Sequence, residues 1–105
     1  MSKEKTMKQD IEAMIVEFNN GAASIYSNML RQFLNSVHNI SRSKDENVFK
    51  MQAAKYAYAL KLQLSELVKK TSEGSESDLN EKVQPLLSAR VNYYMQQFKL
   101  KWNAL

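Results

Sequence analysis

A chain of 105 residues with a formal net charge of +4 fits one domain with an independent core. One proline and two glycines leave too little turn chemistry for a many-stranded sheet, whereas Ala, Leu, Lys, Gln, Met and Glu are abundant and favour helix. Without cysteine there is no disulfide, thiolate metal site or thiol nucleophile, and the mixed-charge start from Met1 to Thr6 lacks the apolar core of a signal peptide, so a cytoplasmic protein is expected.

The first predicted helix starts after Thr6, which forms a capping-box pattern with Gln9, and runs to His38 or Ile40. Ile11, Met14, Phe18, Ala22, Ile25, Met29, Phe33, Val37 and Ile40 recur in steps of three or four. A second row, Ile15, Tyr26, Leu30 and Leu34, widens the apolar arc to roughly 200°, about twice what a surface helix needs. From Ala13 to Ile40 only Glu17 and Arg31 carry charge, yet Asn19, Ser24, Asn28, Gln32 and Asn35 interrupt the segment too often for a membrane span. Asn19-Asn20-Gly21 has the composition of a helix stop. Because Phe18, Ala22 and Ile25 stay in phase across it, one helix is expected, with a break near Gly21 as the alternative.

Residues 41–47 form a polar connection in which Ser43 or Asp45 can cap the next helix. That helix, Glu46 to Lys70, carries a main stripe of Phe49, Ala53, Tyr56, Ala57, Leu60, Leu64, Leu67 and Val68. Met51, Tyr58 and Leu62 fall on its opposite face, in a row with Lys55. Tyr56 to Leu64 alternates as a strand would, but its alanines and helical flanks overrule that reading.

Thr71 to Ser77 reads as a loop, with Ser77 or Asp78 capping the third helix. Pro85 either separates a short first segment, Asp78 to Gln84, or bends that helix. Beyond it Leu87, Val91, Tyr94, Met95, Phe98, Trp102 and Leu105 make the main stripe, and Leu86, Tyr93 and Leu100, spaced by sevens, a second one. The expected fold is therefore all-α: a single domain over residues 1–105, an antiparallel bundle of three long helices completed by self-association.

Three second stripes exceed the apolar patch a monomer usually exposes, which points to a non-catalytic module working through helix contacts, with itself or another helical protein. The expected contact residues are Met51, Tyr58, Leu62, Leu86, Tyr93 and Leu100. The contrasting reading is a basic RNA- or DNA-binding bundle using Lys50, Lys55, Lys61, Lys69 and Lys70, with Tyr93, Tyr94, Phe98 and Trp102 as stacking surfaces beside Lys99 and Lys101. The basic, aromatic run from Tyr93 to Leu105 also suits a membrane surface, but its apolar face continues in phase from Leu87 and so belongs to the bundle.

Catalysis, a metal and a cofactor are not expected. His38 sits where an imidazolium would complement a helix C-terminus. A lone histidine without cysteine offers too few preferred ligands for a tetrahedral metal. Glu73, Glu76, Asp78 and Glu81 lack the order of a calcium loop, and Arg90 is expected to pair with an acidic neighbour.

Overall fold

The computed structural model describes residues 3–41 and 43–105, with side chains from residue 7 onward. Three helices, α1 (Lys3–Val37), α2 (Glu46–Ser72) and α3 (Ser77–Asn103), each pack against the other two. Short connections make successive helices antiparallel, and the bundle is a rod of 63 × 18 × 17 Å.

The main stripes meet along the axis of this rod. Phe18, Ala22 and Phe33 of α1, Ala53, Leu60 and Leu64 of α2, and Val83, Leu87 and Phe98 of α3 are essentially sealed from solvent. Phe33 is the aromatic centre: its ring lies 5.8 Å from Phe49, 6.1 Å from Tyr56 and 5.2 Å from Phe98. The wide apolar arc of α1 has an intramolecular explanation. Ile15, Tyr26 and Leu30 pack against the core because α1 has two helical neighbours, so its second row leaves little over. Leu34 alone in that row stays exposed.

Helix α1 runs without a break through Gly21, and Gly74 is the one glycine with positive φ among the described residues. Gly21 serves close approach instead. A Cβ there would stand 3.0 Å from Leu67 Cδ2 on α2.

Helix ends differ from the predicted ones. Since α1 begins at Lys3, Thr6 lies inside it and is not its cap. Asp45 does occupy the N-cap position of α2, but its carboxylate makes no capping bond, and its carbonyl accepts from Phe49 N–H at 2.9 Å. Glu76, and neither Ser77 nor Asp78, precedes α3, its carbonyl accepting from Asn80 N–H at 2.9 Å. Helix α2 continues to Ser72, whose buried hydroxyl donates to the Val68 carbonyl at 2.9 Å. The loop shrinks to Glu73 to Glu76, with Gly74 at φ 79° supplying the left-handed turn.

Pro85 sits inside α3 and so does not divide a first segment from the rest. Its missing N–H leaves the Glu81 carbonyl without the usual donor; both residues are exposed, so water can take that bond. His38 lies just past the end of α1, its Nδ1 3.2 Å from Asn39 Oδ1.

Candidate functional site

All six residues expected at contacts are exposed, Tyr58 and Met51 most of all at 71% and 70%. The structure does not bring the six together. Tyr58 lies two residues, roughly 200° of helix, from buried Leu60, and Tyr93 the same from buried Val91. The α2 row therefore faces away from its helix's buried stripe, whereas Tyr93, next to buried Tyr94, sits on an exposed flank of α3, and the two rows look out from different sides of the bundle.

On α3 the row is organised by Arg90. Its Nε donates to Asn19 Oδ1 of α1 at 2.8 Å, while its guanidinium carbon lies 4.8 Å from the Tyr93 ring centre and 5.8 Å from that of Tyr94. The partner of Arg90 is thus an amide and two rings rather than the acidic neighbour expected from sequence. Tyr94 in turn presents its ring to Tyr93 at 5.4 Å and to Tyr26 at 5.5 Å. Burial raises the Tyr26 hydroxyl above its ordinary pKa, and the nearby Tyr93 adds to the effect.

The five α2 lysines do not form one stripe. Lys50 and Lys61 fall on one flank, Lys55 and Lys70 on the other, with Lys69 facing outward between them. Lys50 Nζ is 3.5 Å from Glu46, and Lys55 Nζ is 5.5 Å from the Tyr56 ring centre. Lys69 and Lys70 line a polar recess with Glu66 and Glu73 at the loop end, where Gln84 Nε2 donates to Ser72 Oγ at 3.2 Å and to Asn80 Oδ1 at 2.9 Å.

The antiparallel topology does sort charge along the rod. The pairs Gly21–Leu67 and Asn19–Arg90 mark its middle level. A cut just beyond them, through Ala22, Ser65 and Val91, puts Lys8, Lys69, Lys70, Lys82 and Arg90 with Asp10, Glu12, Glu17, Glu66, Glu73, Glu76, Asp78 and Glu81, a net of −3 among described side chains. The other half holds Arg31, Lys44, Lys50, Lys55, Lys61, Lys99 and Lys101 against Asp45 and Glu46, a net of +5. Of the large exposed apolar side chains, Val16 and Leu86 lie on the acidic half; Leu34, Val48, Met51, Tyr58, Leu62, Tyr93, Leu100 and Leu105 lie on the basic one.

The basic half also carries a groove of about 400 Å³ between α2 and α3, lined by Ala57, Asn92, Met95, Gln96, Phe98, Lys99 and Trp102. It exists because α2 offers only the methyl of Ala57 where α3 offers Met95 and Trp102. Sequence reading misses it: Ala57 reads as one more stripe residue until its neighbours across the helix pair are known.

Among the described residues no helix is long and apolar enough to cross a membrane, and no group of three metal-ligating side chains comes together. The chain matches no protein-family model, no curated protein and no solved structure.

Proposed function

We propose that this chain is a non-catalytic helical interaction module of the cytoplasm, an adaptor, regulator or chaperone-like protein that pairs with a second copy through the outward face of α3. One observation carries the reading: the bundle closes its core and still leaves Leu86, Tyr93 and Leu100 exposed in a seven-residue repeat.

The repeat is symmetric about Tyr93, two residues from Val91 at the middle level of the rod. Two copies laid antiparallel about that point set Leu86 against Leu100 of the second copy and Tyr93 against its counterpart, a closed two-fold contact. Such an arrangement also lays the acidic half of each rod beside the basic half of the other, which favours the antiparallel register over the parallel one. Tyr93→Asp is the direct test: it places a charge at the two-fold and should halve the mass in solution while leaving helicity unchanged. Unchanged mass would reject this face. Met51, Tyr58 and Leu62 on α2 stay outside this contact and offer a second surface to a different helical protein. Tyr58→Asp should therefore spare self-pairing and weaken capture of such a partner.

The charge sorting also favours a second reading, binding of RNA or DNA phosphate by Lys50, Lys55 and Lys61 with Lys99 and Lys101. Two features weigh against it. The α2 lysines surround their helix rather than tracking one groove, and Phe98 is buried, so it offers no stacking face. Retention on a polyanion column that falls steeply with salt would support nucleic-acid binding, and no retention would count against it.

A further inference from the structure

We infer that the groove between α2 and α3 on the basic half is a docking site for an acidic amphipathic helix of another protein, seated with a large apolar side chain over Ala57. The site differs from the α3 face assigned to self-pairing, although it rests on the same reading of the chain as an interaction module.

Shape and charge argue for this occupant together. From Asn92 to Trp102 the groove runs about 15 Å along α3, close to three helical turns. Its floor is apolar, Met95, Phe98 and Trp102 facing the methyl of Ala57. A volume of about 400 Å³ admits a leucine- or phenylalanine-sized side chain with its flanking turn. Lys99 lines one wall, and Lys61, one turn beyond Ala57 on the same side of α2, extends the cationic rim. No Asp or Glu occurs in residues 47–65 or 83–105, and among the described residues neither Lys61 nor Lys99 is paired with a carboxylate, Glu46 lying beside Lys50. A ligand with an apolar stripe and flanking carboxylates satisfies floor and rim at once.

Other occupants fit less well. A second copy would have to bring an acidic helix with an apolar row, yet the acidic half exposes a single large apolar side chain on each of two helices, Val16 on α1 and Leu86 on α3. A lipid surface is flat and cannot follow a trough between two helices. Nucleic-acid bases need an open aromatic face, whereas Phe98 is 1% exposed.

Fluorescence anisotropy with a labelled peptide of about 18 residues, some five turns, tests the assignment on the full chain. The peptide carries leucines at helical spacing and glutamates elsewhere. A shuffled peptide of the same composition and a version with Lys for Glu serve as controls, at about 0.15 M salt. The ordered acidic peptide should bind at least about tenfold tighter than either control. Ala57→Leu, which fills the groove, and the surface pair Lys61→Glu and Lys99→Glu should each weaken it about tenfold, with circular dichroism unchanged. Tyr93→Asp should leave peptide affinity intact, which separates this site from self-pairing. Equal binding of ordered and shuffled peptides, or full affinity in Ala57→Leu, would overturn the proposal. So would tighter binding of phosphatidylglycerol vesicles or polyuridylate than of the peptide.

Discussion

Gly21 of α1 lies directly against Leu67 of α2, so close that an added methyl would meet Leu67 Cδ2 at 3.0 Å. The glycine is there for proximity, in ordinary helical backbone. Gly21→Ala should gain about 1 kcal/mol of helix propensity and lose part of it as the Leu67 tip shifts, for a net change within about 1 kcal/mol. Gly21→Leu should cost about 1 to 3 kcal/mol, because it drives a branched side chain into a closed contact. Urea unfolding measures both. A Gly21→Ala loss of several kcal/mol would show a left-handed glycine and a broken α1.

The bond from Arg90 to Asn19 ties α3 to α1 across 71 residues of sequence. Because the donor is charged and partly buried, Arg90→Ala should cost about 2 kcal/mol and Asn19→Ala about 1. A double-mutant cycle should return a coupling near 1 kcal/mol; strict additivity would mean that the rings of Tyr93 and Tyr94, not Asn19, hold the guanidinium.

Phe33 touches three rings from two helices, so Phe33→Ala should be among the most damaging single changes, about 3 to 5 kcal/mol. Thermal unfolding checks it. A loss below about 1 kcal/mol would mean that the aromatic centre is not where the three helices lock.

Alkaline pH tests the burial of Tyr26. Its folded pKa lies above the ordinary value of 10.0, so the unfolded chain gives up this proton first. The stability it contributes is complete below the unfolded pKa and is lost as pH rises through the folded one. Tyr26→Phe should therefore lose less stability than the native chain between about pH 9 and pH 11. Parallel stability curves would place Tyr26 in a solvated site.

Much of this architecture is legible in the chain. The steps Phe18, Ala22, Ile25 and Phe49, Ala53, Tyr56 fix helix and facing together, since a 3.6-residue repeat is local information. So is the outward position of Tyr58 and Tyr93, each two residues from a buried neighbour. Other features depend on which helices meet. The second row of α1 reads as a free surface, but α2 and α3 between them cover most of it. Asn19-Asn20-Gly21 is ambiguous because composition alone cannot tell a left-handed glycine from one that makes room for Leu67. Arg90 reads as a partner for a carboxylate because Asn19 is distant in sequence, and the Ala57 groove has no local signal. Helix ends at Lys3 and Glu76 escape reading because capping patterns at Thr6 and Ser77 offer a bond without requiring it.

Molar mass by light scattering on a sizing column, at two protein concentrations and in low and high salt, bears most directly on the interaction reading. Two chains per particle, persisting in high salt and lost in Tyr93→Asp, are expected if the Leu86, Tyr93 and Leu100 row is self-complementary. A single-chain mass at both concentrations would contradict self-pairing through α3.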